Sequence, residues 1–476
     1  MVSTWLHTLS GWLYAALVVV LVVTALLRKR EPSAALGWSL AIVFLPGLGP
    51  FLFLLFGINK MPRKLVRKVA HHLEFSHPEA FRAHDSEHSA GEYPDGKWGS
   101  IGKMIERLGE GPRRTGNEVV LYSDALLLAD DLRAAIDAAR HHIHVQFYIF
   151  RFDETGKRLT QRLVDKIKQG VQVRVLMDGF GSVWSRSAIK KTIERAGGET
   201  AAFNVGGRAN PQLRNHRKTV ICDGNVGFFG GRNIGTEYLG RYGPAGREWY
   251  DLNIRVRGPA VWDLQRLFIE DWSFCTDALL DDPAFFPDME PAGDAAVQIV
   301  GCGPDVEVNP IRHAIFAAFA GARRHIYIAT PYLVPDMALR AALKTAAMSG
   351  VEVHVVTQAP PPDQWLTYYC GMFYIEELLA AGVHVYGYTP GMMHAKAIAV
   401  DGEWAMLGTA NLDNRSMFLN FEQMGVFDGA TQAGEIEKTL RELVSRSEEI
   451  LPEAMRNRTR RQQFATRVAR LFAPLL

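Results

Sequence analysis

Two stretches decide how this chain is read: His216-Arg-Lys-Thr-Val-Ile-Cys-Asp-Gly-Asn-Val-Gly-Phe-Phe-Gly-Gly-Arg-Asn233 and His394-Ala-Lys-Ala-Ile-Ala-Val-Asp-Gly-Glu-Trp-Ala-Met-Leu-Gly-Thr-Ala-Asn411. Both obey one spacing, H-x-K-x4-D-x6-G-x2-N. One chance match in a chain this long has a probability on the order of 10⁻⁴ from average residue frequencies, so two of them mark a duplication. In each copy an Asp-Gly pair stands between short apolar runs, which predicts a turn between two buried strands. Side chains two apart on an extended segment share a face, so His216 stands beside Lys218 and His394 beside Lys396. Asp223 and Asp401 fall at the turns, where bracing the loop and direct catalysis are evenly matched roles. Gly230, Gly231 and Gly408 admit close backbone approach, and Asn233 and Asn411 bring side-chain amide donors.

Outward from the motifs, the repeat widens. His142-Ile-His-Val-Gln-Phe-Tyr148 reads as a strand, a helix ends near Gly170, and Val171 to Asp178 reads as a second strand. The later half repeats this with His325 to Tyr332, a helix ending at Gly350, and Val351 to Val356. Strand, helix, strand alternation predicts an α/β class with two similar α/β/α domains, 116–292 and 293–450, joined in the polar stretch from Glu290 to Asp294.

The N-terminal sixty residues differ sharply. Trp5 to Leu27 and Ala34 to Ile58 contain no Asp, Glu, Lys or Arg. Each exceeds the roughly 20 residues a helix needs to cross a bilayer core, so residues 1–60 are expected to form a two-helix membrane anchor. No basic residue precedes the first run and a second follows at once, which argues against a cleaved signal peptide. Pro46, Gly47, Gly49 and Pro50 interrupt the second run, leaving a re-entrant hairpin as the alternative. Arg28, Lys29 and Arg30 lie between the runs, and Lys60, Arg63, Lys64, Arg67 and Lys68 follow them. Five cations against three place the large C-terminal portion on the cytoplasmic side of a multi-pass membrane protein.

Residues 61–115 read as a polar connecting segment. Its His71, His72, His77, His84 and His88 do not fall on one helical face, so no metal site is expected there. His141, His144, His313, His354 and His384 are read as structural. Residues 451–476 form a basic amphipathic tail, with six arginines interleaved with Phe464, Val468, Leu471 and Phe472, suited either to anionic lipid or to packing on the protein.

Composition narrows the chemistry. The 476 residues carry 53 Lys plus Arg against 51 Asp plus Glu, and that balance gives no argument for a nucleic-acid partner. Four widely spaced cysteines form neither a disulfide framework nor a zinc site. Two imidazoles and two ammonium groups brought together from related halves suit an anion whose charge is held during bond exchange, a phosphodiester above all. No metal and no cofactor are expected, because the motif-bearing segments lack paired carboxylates or a His/Cys cluster.

Both motif copies resemble the HKD motif of the phospholipase D superfamily, and the chain as a whole resembles the membrane-anchored bacterial cardiolipin synthases. Supporting stretches are Gln146-Phe-Tyr-Ile, Asp178-Gly-Phe-Gly-Ser182, Arg214-Asn-His-Arg-Lys218, Gly230-Gly-Arg-Asn-Ile234, Thr330-Pro-Tyr332, Gly408 to Ser416 and Leu471 to Leu476. The resemblance implies a two-step transfer: a histidine takes the phosphatidyl group of one phosphatidylglycerol, releasing glycerol, and a second phosphatidylglycerol accepts it. Phosphatidylglycerol and anionic membrane lipid are the implied partners. His216 is the implied nucleophile and His394 the acid and then base, although the residues themselves leave the reverse open. An acidic residue downstream of each motif orients its histidine in the family, and the matching positions are Asp251 and Glu422. Tyr250 and the loop from Gln358 to Asp363 depart from the family's usual pattern. A hydrolytic phospholipase D, a transphosphatidylase using phosphatidylethanolamine, a nuclease and a non-catalytic membrane scaffold are the competing readings. Oligomeric state is left open.

Overall fold

The two apolar runs fold differently, because proline breaks only one of them. A computed structural model describes residues 2–28, 32–57, 92–203, 212–239 and 248–476. Helix α1 (Val2–Arg28) is uninterrupted, and its Ser10–Arg28 portion has a mean hydropathy of 2.3. Helix α2 (Pro32–Phe44) opens on proline at its first position and stops ahead of Pro46, whose ring disfavours a helical residue before it. Gly47 then adopts φ 78° and donates its N–H to the Tyr14 hydroxyl at 3.0 Å, and the chain continues as two short turns, Leu48–Leu52 and Phe53–Gly57. The second run is therefore a broken hairpin arm, not the continuous span expected. Among the described residues one helix is long and apolar enough to cross a membrane. Lys29 and Arg30, the cations after the second run and the five linker histidines lie outside the described residues. Residues 1–63 form one compact unit and 64–476 another.

Part of the expected connecting segment is ordered structure of the second half. In helix α3 (Lys97–Arg107), Trp98 stacks on Trp404 with centroids 6.1 Å apart and donates Nε1–H to Glu403, while Lys97 Nζ reaches Asp401 at 2.8 Å.

The first half runs β1 (Arg114–Tyr122), α4 (Ala125–Ala138), β2 (His142–Phe147), α5 (Glu154–Lys168), β3 (Gln172–Asp178), α6 (Arg186–Ala196), β4 (Glu199–Phe203), β5 (Arg214–Asn215), β6 (Thr219–Cys222), β7 (Val226–Gly230), β8 (Glu248–Tyr250), β9 (Asn253–Arg257) and α7 (Ala260–Thr276). The second runs β10 (Ala295–Cys302), α8 (Pro310–Gly321), β11 (His325–Ala329), α9 (Met337–Met348), β12 (Glu352–Gln358), α10 (Trp365–Ala380), β13 (His384–Tyr388), β14 (Gly391–Met393), β15 (Ala397–Val400), β16 (Trp404–Gly408), β17 (Asn420–Phe427), α11 (Ala430–Ser445), β18 (Ser447–Glu449) and α12 (Arg460–Ala469).

The strand orders β4-β3-β2-β6-β7-β9-β1 and β13-β12-β11-β15-β16-β17-β10 match position for position. Strands β1 and β10 pair antiparallel, so the halves share one continuous sheet. Helices α4, α5 and α6 in the first half, and α3, α8, α9 and α10 in the second, bury apolar faces on one side of this sheet. On the other side α7 and α11 pack into a common core that includes Trp262, Trp272, Ile436 and Leu440, all at most 2% exposed. The sheet is thus covered on both faces, and every residue of β10 and β17 is buried, Glu422 included.

Candidate active site

Each histidine is carried by a segment that enters the other half. Strand β5 lies parallel to the start of β17, and His216 N donates to Phe421 O at 2.8 Å. In the same way β14 lies parallel to β8, and His394 N donates to Tyr250 O at 2.8 Å. The residues following those two acceptors are Glu422 and Asp251, and this register crosses the partners. His216 Nδ1 is 2.9 Å from Glu422 Oε2, and His394 Nδ1 is 2.7 Å from Asp251 Oδ2. Both expected carboxylates meet a histidine, but each serves the histidine of the opposite half, not the one of its own motif. The sequence order of motif and acid hid this exchange, because pairing across halves is set by strand register.

Lys218 Nζ donates to His216 O at 2.6 Å, and Lys396 Nζ lies 2.9 Å from His394 Nδ1 and donates to His394 O. Both lysine side chains return beside their histidines, as the two-residue spacing predicts, although neither pair sits within a ladder strand: β6 begins at Thr219 and β15 at Ala397.

Burial sets the charges. It pulls His216 down to about 4 and His394 to about 3, with the lysines adding to the effect and the carboxylates opposing it. Both imidazoles are neutral at pH 7, and a carboxylate on Nδ1 leaves Nε2 as the basic nitrogen. Burial also lowers Lys218 to about 7 and Lys396 to about 8. For Asp251 and Glu422 burial alone raises the pKa, but neighbouring lysine and histidine outweigh it and hold both below the usual carboxylate range. Glu422 is further fixed by Thr409 Oγ1 at 2.6 Å and Asn420 Nδ2 at 3.0 Å.

The two aspartates of the motifs stand apart from this cluster. Asp223, at φ 52°, accepts backbone N–H groups from Arg140, His141 and His142 at 2.8 to 3.0 Å. Asp401, at φ 58°, accepts from Arg323, Arg324 and His325 and pairs with Lys97. Both carboxylates brace a turn against the start of β2 or β11. The asparagines diverge: Asn233 Oδ1 accepts Ile149 N–H at 3.0 Å, whereas Asn411 Oδ1 is buried with no partner among the described residues.

Several neighbours escaped the sequence reading. The Tyr148 ring meets that of His216 edge-on at 5.0 Å, and the Trp249 ring lies 5.4 Å from that of His394. Arg217, beside the nucleophile candidate, forms a buried pair with Asp271 at 2.9 Å, and Asp271 also accepts from Gln146 and Asn215. Gly231 leaves the room Asp251 occupies, since a Cβ there falls 2.0 Å from Asp251 Oδ1. The glycine pair was visible in the sequence; what it accommodates was not.

The family model described as "Cardiolipin synthase, PLD-like domain" matches residues 132–272 and 315–444, and that described as "Phospholipase_D-nuclease N-terminal" matches 12–57. The chain belongs to the cardiolipin synthase family. It is 37% identical over 473 residues to the major cardiolipin synthase ClsA of Bacillus subtilis, covering 94% of this chain and 95% of that protein. A cardiolipin synthase 1 of Bacillus anthracis is 32% identical over 99% of this chain and 94% of the relative. Among solved structures, phosphatidylserine synthase from Haemophilus influenzae superimposes with a TM-score of 0.60 at 14% identity, covering 79% of this chain and all of that one, a likeness of fold. The family match at 12–57 and the apolar Ser10–Arg28 helix make this cardiolipin synthase family member a membrane protein.

The C-terminal tail joins the site region. One face of α12 packs on α10, with Ala469 and Ala473 buried beside Val334, Cys370 and Tyr374. Arg415 N, four residues past Asn411, donates to Leu476 O at 2.8 Å. The opposite face stays open, leaving Phe464 70% and Leu471 77% exposed.

Proposed function

We propose that the protein is a phosphatidyltransferase that makes cardiolipin and glycerol from two molecules of phosphatidylglycerol. The observation that carries this is the crossed pair of buried histidine–carboxylate couples, each with a lysine beside it. His216 Nε2 attacks phosphorus, the bond to the departing glycerol oxygen breaks, and His394 delivers to that oxygen the proton it took from the acceptor hydroxyl of the preceding turnover. His394 then takes the proton of the hydroxyl on the second phosphatidylglycerol; the new P–O bond forms, the P–N bond breaks and His216 is restored. Lys218 and Lys396 stabilise the non-bridging oxygens throughout, an electrostatic role that grows in a water-poor site. Glu422 and Asp251 hold each imidazole in its tautomer and stabilise the imidazolium that forms. Asn411, with its unpartnered carbonyl oxygen, faces bound lipid or ordered water in this reading.

The test is purified protein in phosphatidylglycerol vesicles with chelator present, beside His216→Ala and His394→Ala. Equal amounts of cardiolipin and glycerol, lost in both variants, are expected. Phosphatidic acid without cardiolipin would make the protein a hydrolase. The catalytic halves face the cytoplasm in this reading, supported by the cation count around the apolar runs. Labelling of single cysteines introduced on the soluble unit, in intact and opened cells, tests it; labelling from outside would reverse the orientation.

A further inference from the structure

The reaction just proposed places two phosphates in one site, because the product carries two phosphodiesters joined by a single glycerol. The His and Lys pairs account for one. The other needs cations within one glycerol's reach, and the described residues offer a pair on the His216 side.

Arg214 and Arg415 come from opposite halves and converge on Tyr148, the residue whose ring meets His216 at 5.0 Å. Both guanidiniums act electrostatically on the Tyr148 hydroxyl, and Arg214 acts on Arg415. Burial and the neighbouring Arg214 lower the pKa of Arg415, so two like charges are held together with no carboxylate paired to either among the described residues. Two acids act on the pair: Asp178, which acts on both, is spent on the backbone N–H groups of Phe180, Gly181 and Asn215 at 2.9 Å, and Asp413, which acts on Arg415, accepts Ser416 N–H at 2.7 Å. Arg415 is fixed rather than free to swing: Nη2 donates to Gln212 O and Nη1 to Leu475 O at 3.3 Å. Arg214 Nη1 donates to Leu213 O at 2.7 Å, the carbonyl next to the Gln212 carbonyl that holds Arg415, and two guanidiniums held on adjacent carbonyls form an anion site whose own repulsion is relieved by the ligand.

The surroundings specify what kind of anion. Arg214 lies 4.2 Å over the Phe180 ring, and the same loop exposes Phe180, Val183 and Trp184, the last at 96%. Apolar rings exposed beside a cationic pair fit a phosphate that carries acyl chains better than a free one.

We propose that Arg214 and Arg415 form a second phosphate site, which holds the phosphodiester of the acceptor phosphatidylglycerol while its hydroxyl attacks the phosphatidyl-histidine. The site rests on the transferase reading above and deepens it.

The test is a partition measured within one reaction. Full-length protein in phosphatidylglycerol vesicles is given ethanol, an uncharged acceptor competing for the same intermediate, and the ratio of cardiolipin to phosphatidylethanol is read. This ratio is independent of how much enzyme is folded. In Arg214→Gln it should fall about tenfold, the loss of one charge-assisted hydrogen bond to a phosphate. Arg214→Lys should recover part of it, and Arg415→Lys should shift the ratio in the same direction. A second arm adds inorganic phosphate: an Arg214→Gln ratio equal to wild type without phosphate, together with a wild-type ratio that shifts on adding millimolar phosphate, makes it a site for free phosphate and overturns the acceptor role. A wild-type-like ratio in all three variants sinks the second site while leaving the transferase intact. A wild type that makes phosphatidylethanol but no cardiolipin sinks the transferase reading, and the second site with it.

Discussion

Replacing Glu422 by glutamine should disable the histidine of the other half. Glu422 is fully buried and its Oε2 stands 2.9 Å from His216 Nδ1, so the pair is shielded from bulk water. When His216 bonds to phosphorus its ring becomes cationic, with Glu422 as the countercharge. Two unit charges about 4 Å apart interact by about 4 kcal/mol at an effective dielectric near 20. Loss of that term corresponds to roughly 10³-fold in the step that forms the intermediate. Glutamine also presents an N–H₂ to Nδ1, which moves the ring proton to Nε2 and blocks attack, the effect that costs about 10⁴ in hydrolytic triads. The assay is a phosphatidyl ester of p-nitrophenol, whose aryloxide leaves without a proton, read as the first-turnover burst of nitrophenolate. With this substrate Asp251→Asn and His394→Ala should regain most of the burst, because they impair the acid. Glu422→Gln and His216→Ala should stay about 10³-fold or more below wild type. If Glu422→Gln is rescued along with His394→Ala, the crossed assignment is wrong.

Other residues make separate predictions. Gly231→Ala places a Cβ 2.0 Å from Asp251 Oδ1 and should lower turnover of phosphatidylglycerol about 10²-fold, as expected when a catalytic group is displaced by about an ångström; wild-type turnover would show that the carboxylate moves without consequence. Asp223→Asn weakens charge-assisted bonds to three backbone N–H groups and should cost about 2 kcal/mol of stability, with kcat within about tenfold of wild type; a folded but inactive variant would return Asp223 to the reacting set. Above pH 7 to 8 the free enzyme loses protons from Lys218 and Lys396, whose pKa values are about 7 and about 8, and an anionic substrate must restore them. KM for phosphatidylglycerol should therefore rise with pH by up to tenfold per unit for each lysine required, and a flat KM from pH 7 to 9.5 would contradict it.

The α/β class, the duplication and the two HKD sets were legible because they rest on local patterns: alternation in the strands, an Asp-Gly turn and a fixed spacing. The matching strand orders of the two halves follow from the repeat itself. What was not legible depends on contacts between distant segments. The crossing of His216 with Glu422 and His394 with Asp251 is decided by the parallel pairing of β5 with β17 and β14 with β8, two or three residues each, too short to leave a periodic signal. Helix α3 was hidden in a stretch of mixed polarity, because its packing depends on Trp404 some three hundred residues away. The interruption of the second apolar run was legible in Pro46 and Gly47, but a count of uncharged residues still favoured a full span there, whereas the helix ends at Phe44 through backbone geometry.

The seam between β1 and β10 bears on how the chain is made. A ribosome delivers the N-terminal half first, with β1 already placed beside β9 but its other edge bare until residues 295–302 emerge. Helix α3 waits longer still, since Asp401, Glu403 and Trp404 arrive near the end of synthesis. An unpaired edge is a template for strands of other chains. Nascent copies on one messenger are therefore at risk of pairing with each other, and a pause in translation between β9 and β10 should increase misassembly more than a pause anywhere after β17.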